Sequence, residues 1–223
     1  MTDKRLIIIV EGQTEKEFVN VILRPYFSTK GIFDISVFTI KQSGGGLSKY
    51  NHIKTNILNC IYQSNTVITT LIDFYGLPGN FPNFGGVANI DNKLHKVEFL
   101  EKSMKEELEN SQKNKFDNFL PYIQLHEFEA LVFSSKESIL NNFESNKIDM
   151  LEIEKIFREF DNPEEINNSV NTAPSKRLLK HKEGYDKVVD GVRIIEQAGL
   201  NKVLEKCPRF AAWLNKVILK VKS

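Results

Sequence analysis

Six residues near the amino terminus, Arg5-Leu6-Ile7-Ile8-Ile9-Val10, restrict the fold more than any other stretch. The run is apolar without alternation and rich in β-branched side chains, so as a strand it must be covered on both faces. It stops at Glu11-Gly12, where glycine permits a tight turn, and Thr14 is placed to cap a following helix from about Glu15 to Leu23. Phe18, Val19, Ile22 and Leu23 form the apolar stripe of that helix, and Pro25 is expected to end it. The apolar run is far too short for a signal-peptide core or a membrane span, and a cytoplasmic protein is expected.

The same logic continues along the chain. Further strands are expected at Ile35–Ile40, Val67–Ile72 and Pro121–Leu125, with helices near Tyr50–Tyr62 and 91–110. From about Ser135 the pattern is helical to the end, with breaks near Pro163, Pro174, Gly199 and Pro208. Strands alternating with helices give an α/β fold: a mainly parallel sheet flanked by helices, with a C-terminal helical extension. Residues 1–134 are expected to form the α/β core and residues 135–223 a basic helical extension packed on it as one compact unit.

Charge is balanced overall but unevenly spread. The chain of 223 residues carries 30 basic and 29 acidic side chains, so it is not a polycation built to coat nucleic acid or anionic lipid. Residues 1–90 hold 8 basic and 6 acidic groups, residues 91–162 hold 10 and 16, and residues 163–223 hold 12 and 7. A basic tail therefore follows an acidic middle. The two cysteines, Cys60 and Cys207, lie far apart and outside any metal-binding spacing, and both are expected as small buried apolar residues.

Acids recur at one structural place. Glu11 closes the first strand, Asp73 the third, and His126-Glu127-Phe128-Glu129 follows the fourth. The carboxyl ends of parallel strands share one edge of the sheet, where ligands bind. Carboxylates gathered there repel one another unless a cation sits among them, and their hard oxygens suit Mg²⁺ or Mn²⁺. Glu11, Asp73, Glu127 and Glu129 are the candidate metal ligands. Glu15 follows Glu11 by four residues and is a candidate general base or ligand to a second ion. His126 and Glu129 share a face if a helix begins at the histidine. His126 is then a ligand, a proton carrier or an orienting group, with simple packing as the alternative. His52, His95 and His181 sit in polar helical stretches and are expected to be solvated.

At these residues a resemblance enters. Val10-Glu11-Gly12-Gln13-Thr14-Glu15 resembles the first motif of a Toprim domain, the metal-binding module of topoisomerases, primases and OLD-type nucleases. The second Toprim motif is Asp-x-Asp; here Asp73-Phe74-Tyr75 keeps the first acid and places tyrosine at the second, so that Glu127 or Glu129 would supply the missing charge. More specifically, the chain resembles domain-of-unknown-function family 4276. The resemblance runs through Asp73 to Pro78, Leu125 to Leu131, Pro163 to Asn167, Ala173 to Leu178, Tyr185-Asp186-Lys187 and Cys207 to Trp213. It implies a Toprim-like, Rossmann-like fold and metal-dependent cleavage of a phosphodiester bond in DNA or RNA. It further implies an ABC/SMC-like ATPase partner and a role as an anti-phage defence or toxin-type effector.

Cleavage would need a surface that holds the backbone against an acidic pocket. Lys176, Arg177, Lys180, Lys182 and Lys187 cluster after Pro174-Ser175, and phosphate contacts from such residues supply affinity without reading sequence. The loop from Phe74 to Gly86 is expected as a lid, a base-stacking surface or a buried structural loop, and Tyr75 as a group that bonds a phosphate or a water. Gly44-Gly45-Gly46 alone is a weak nucleotide signal. The competing reading is a binding or regulatory subunit of an ATPase in which the Toprim site is degenerate, with Tyr75 as its mark.

Overall fold

The computed structural model describes residues 4–40, 49–143, 148–166, 172–181 and 184–223. Gly44 to Gly46, Asn167 and Lys182 lie outside the described residues. Among those described, the chain runs β1 (Arg5–Val10), α1 (Gln13–Phe18), a π-helical turn (Val19–Leu23), α2 (Arg24–Thr29), β2 (Ile35–Thr39), α3 (Tyr50–Ile61), β3 (Thr66–Asp73), α4 (Lys93–Gln112), β4 (Phe119–Leu120) and β5 (Ile123–Gln124). Helices then follow: α5 (Glu129–Val132), α6 (Lys136–Asn141), α7 (Met150–Glu159) and α8 (Pro174–His181). A second π-helical turn (Lys187–Gly191) precedes α9 (Val192–Ala198), α10 (Leu200–Lys206) and α11 (Pro208–Lys222).

All pairings in the sheet are parallel, in the order β2-β1-β3-β4, with β5 continuing the outer edge along β3. Alternation sorts the apolar run of β1 onto two faces. Leu6, Ile8 and Val10 join a core with α1, α2 and the helices from α5 onward, whereas Ile7 and Ile9 join a core with α3 and α4. Both faces are thus covered, as an unbroken apolar strand requires. The first core runs without interruption from Phe128 and Leu131 to Phe210 and Leu214.

Two expectations about helices change. Pro25 does not end the first helix; a π-helical turn over Val19–Leu23 carries the chain through it into α2. A proline has no N–H to give and its ring crowds the carbonyl four residues back, here Val21, and a widened turn accommodates both. Thr14 is not the cap, because α1 starts two residues earlier, at Gln13, with Gly12 at its N-cap. Glu15 reaches back instead, its Oε2 accepting from the Gly12 amide at 2.9 Å. The breaks expected near Pro174 and Pro208 are present, and each proline opens the helix that follows, where a missing N–H costs nothing.

The expected strand over Pro121–Leu125 is two short pieces around Pro121. Thr70 fills the gap: its Oγ1 accepts from the Tyr122 amide and donates to the Tyr122 carbonyl, both at 2.8 Å. Thr69 Oγ1 donates to the Leu120 carbonyl at 2.6 Å and accepts from Trp213 Nε1 at 2.9 Å. Two threonine hydroxyls take over ladder bonds, and one of them anchors α11 to the sheet. On the outer side Glu101 Oε1 accepts from the Ile123 amide at 2.8 Å, and Arg209 donates to the Ile123 carbonyl at 2.6 Å. The Glu101–Arg209 ion pair therefore stands where a further strand would bond and closes the edge. Cys60 and Cys207 are buried, and Trp213 packs into the core against Tyr122 with centroids 4.4 Å apart. No helix among the described residues is long and apolar enough to cross a membrane.

Candidate metal centre

Because β1, β3 and β5 are neighbours with aligned ends, the residues that follow them meet at one edge. Leu71 and Val10 are partners, as are Asp73 and Gln124. The Glu11 amide donates to the Leu71 carbonyl at 3.2 Å, and its side chain turns back so that Oε2 accepts from the Asp73 amide at 3.1 Å. The carboxylate fits only because residue 76 is glycine. A Cβ there would stand 2.7 Å from Glu11 Cδ.

The third group arrives through a strained turn. His126 has φ of +66°, in the left-handed region that non-glycine residues avoid. No helix starts at the histidine, so the expected shared face with Glu129 does not form. The left-handed step instead turns the chain out of β5 and into α5, whose first residue is Glu129. The His126 carbonyl accepts from the Tyr75 amide at 3.2 Å, and the imidazole stacks on the Tyr75 ring, with centroids 5.4 Å apart. Burial, with the charge of Lys93, pushes the imidazole pKa down to about 4, so His126 is neutral at physiological pH.

Burial also dominates the acids. It raises Glu11 to about 7, helped by the charges of Glu15 and Glu127 and opposed by the Asp73 amide and Lys187. Glu15 is raised by burial against the Gly12 amide. Asp73 is raised well above the usual carboxylate range by burial and then by Glu15, Glu11 and Glu129, while the Phe128 amide opposes the shift. Glu129, only 1% exposed, is raised by burial against the charge of Lys187. Two oxygens of this set, Asp73 Oδ1 and Glu129 Oε2, are buried without a hydrogen bond. Buried carboxylate oxygens without a hydrogen bond are costly, and a hard divalent cation is a partner their chemistry suits. Among the described residues no three such groups already surround one point at ligand distance.

Glu11, Glu15, Asp73 and Glu129 converge, as their mutual charge effects record. Glu127 stands at the rim, half-buried, its Oε2 accepting from the Ser175 amide at 3.0 Å. An amide in the first turn of α8 thus holds a carboxylate of the chain itself. Lys176 and Lys180 are exposed on α8. Arg177 instead lies over the Phe160 ring and donates to the Thr172 carbonyl at 2.9 Å. Lys187 turns into the acidic pocket, its Nζ 2.8 Å from Glu129 Oε1. The loop after Asp73 packs Leu77 and Phe81 into the core, Phe81 against Tyr50, and Asn80 caps α3 by accepting from the Tyr50 amide. His95 is exposed as expected, whereas His52 is half-buried and its Nδ1 is enclosed.

Two groups near the pocket were not among the candidates. Gly76 has a steric role that no pattern of acids announces. Tyr185 is buried beside Gly191, and after burial itself the charge of Glu129 acts most strongly on its hydroxyl, raising it.

A family model matches residues 10–218. The chain belongs to the family described as Domain of unknown function (DUF4276). The match spans Glu11, Asp73, Glu129 and Lys187, so the whole acidic pocket lies within the family's boundaries. No curated protein matches the chain. Among solved structures, the C-terminal region of the Burkholderia pseudomallei OLD protein is similar, with a TM-score of 0.48 and 15% identity, over 98% of this chain and 97% of that one.

Proposed function

We propose that the chain is a Mg²⁺- or Mn²⁺-dependent phosphodiesterase that cleaves DNA or RNA. The observation that carries this reading is the convergence of Glu11, Asp73 and Glu129 at the ends of adjacent parallel strands, with Asp73 Oδ1 and Glu129 Oε2 buried and unbonded. Glu11, Asp73, Glu129 and, from the rim, Glu127 would hold the ion. When bound, such an ion lowers the pKa of a water and neutralises charge on a phosphoryl group. Glu15, which accepts from the Gly12 amide, would take a proton from an attacking water. His126, neutral and stacked on Tyr75, orients the turn that delivers Glu129. Lys176 and Lys180 would hold the backbone of the nucleic acid. The family resemblance adds a defence or toxin-type role and an ATPase partner to the proposal.

One observation favours the second reading, a binding subunit without chemistry: Lys187 already neutralises part of the pocket. A cleavage assay with a parallel Mn²⁺ titration separates the two. Plasmid, single-stranded DNA and total RNA are incubated with Mg²⁺, Mn²⁺ or EDTA, using the natural chain and Glu11→Ala. Metal-dependent cutting that the substitution abolishes establishes the nuclease. Absence of both cutting and Mn²⁺ binding leaves the binding subunit.

A further inference from the structure

We infer that Lys187 is a built-in competitor for the divalent cation, and that it sets the ion concentration at which the pocket fills; the inference rests on the metal-dependent reading above. Its ammonium lies 2.8 Å from Glu129 Oε1, on a carboxylate that is 1% exposed, while the lysine side chain itself is 44% exposed. One end of the side chain is thus in the pocket and the rest lies toward solvent. The contact sets a positive charge on the same carboxylate that the ion would need.

The backbone beneath Lys187 is secured without its side chain. Lys187 opens the π-helical turn that ends at Gly191. Asp186 caps that turn, its Oδ1 accepting from the Val189 amide at 2.9 Å, and the Asp186 amide donates to Asp190 Oδ2 at 2.9 Å. The four-carbon stem is free to rotate while these bonds stay in place. A divalent ion and an ammonium on the same carboxylate repel strongly in a pocket of low dielectric. Filling the pocket therefore means moving the lysine head outward, and the free energy of the Lys187–Glu129 pair is subtracted from ion binding. In the metal-free protein the same pair keeps Glu129 from standing as an uncompensated buried charge.

The test is Mn²⁺ titration calorimetry on the full chain near neutral pH, without nucleic acid, comparing the natural protein with Lys187→Met, Lys187→Arg and Lys180→Met. Lys187→Met is expected to bind Mn²⁺ about tenfold or more tightly, and its metal-free form to melt lower and recover with Mn²⁺. Lys187→Arg keeps the charge, grips the carboxylate with a planar fork, and is expected to bind Mn²⁺ more weakly than the natural chain. Lys180→Met, which loses an exposed charge of the same sign, should leave the affinity unchanged. Equal or weaker binding by Lys187→Met overturns the inference while leaving the metal reading intact, as does an equal gain in Lys180→Met. If Lys187→Met does not fold, an arginine variant that binds as the natural chain does overturns it. Absence of Mn²⁺ binding in all four proteins overturns the metal reading, and the competitor role falls with it.

Discussion

The backbone amide of Asp73 donates to Glu11 Oε2 at 3.1 Å, so the last residue of β3 holds the acid that follows β1. The bond fixes the Glu11 carboxylate across the strand ends, and Asp73 Oδ1 is buried without a hydrogen bond. Both carboxylates meet a backbone amide, Glu11 that of Asp73 and Asp73 that of Phe128, and Asp73 keeps one oxygen without a bond. A pocket arranged this way is organised before any ion arrives, at the cost of holding several acids close together in a poorly solvated space.

Gly76→Ala tests that arrangement sterically. The added methyl would lie 2.7 Å from Glu11 Cδ, and Gly76 does not occupy the left-handed region, so the effect falls on Glu11 rather than on the local backbone. The carboxylate must shift and give up its bond from Asp73. Stability should fall by ~1–2 kcal/mol. Mn²⁺ affinity should fall about tenfold or more, while the circular dichroism spectrum stays native. Unchanged Mn²⁺ affinity would remove Glu11 from the ligand set.

Glu11 should also make stability depend on pH. Its ordinary value is near 4.5 and burial lifts it to about 7, so the folded chain binds that proton more tightly than the unfolded one. The stabilisation is complete below about 4.5 and is lost as the pH rises through about 7. His126 works in the opposite direction, since its folded value is depressed to about 4, and a single curve would mix the two. The difference between the natural chain and Glu11→Gln isolates the carboxyl. That difference should decline by ~1–3 kcal/mol from pH 4.5 to above 7 in urea unfolding. Parallel curves for the two proteins would refute the raised value.

The strand ends were readable in the sequence because a continuous β-branched run, a glycine and an acid each act locally. Hence Glu11, Asp73 and the Glu127–Glu129 pair could be named from pattern alone, and the two faces of β1 could be anticipated. What stayed hidden depends on atoms distant in the chain. The helix expected at His126 required the ordinary backbone region, and the left-handed turn that replaces it is imposed by β5, Tyr75 and the core around Phe128. Pro25 reads as a stop because propensity does not register a π-helical turn. Lys187 reads as part of a basic surface, since nothing near it in sequence announces an acid partner 58 positions earlier.

Arg209 should matter to the fold rather than to the chemistry. It pairs with Glu101, donates to the Ile123 carbonyl at 2.6 Å and lies over the Tyr122 ring, while Glu101 accepts from the Ile123 amide. Arg209→Ala strands a largely buried carboxylate and uncovers the sheet edge. The loss in urea unfolding should be ~2–4 kcal/mol, with aggregation increased. Arg209→Met combined with Glu101→Met removes both charges and should recover part of that loss, though not the two bonds to Ile123. A double variant no better than Arg209→Ala would show that the edge bonds, not the stranded charge, account for the cost.

The exposed lysines of α8 should carry the contact with nucleic acid. Lys176 and Lys180 stand one helical turn apart, both exposed, while Arg177 between them is turned onto Phe160 and the Thr172 carbonyl. If nucleic acid approaches the pocket across α8, these two lysines meet phosphates and release counterions. Each phosphate contact contributes about 0.9 to the slope of log affinity against log salt for duplex DNA. Lys176→Glu with Lys180→Glu should therefore weaken binding at low salt by ~10-fold or more and reduce the slope by about 1–2. Arg177→Gln should change stability through Phe160 and leave the slope in place. Fluorescence anisotropy on a labelled duplex and a labelled RNA across a salt series measures both quantities. A slope unaltered by the double reversal would move the nucleic-acid surface off α8 and onto another face of the pocket.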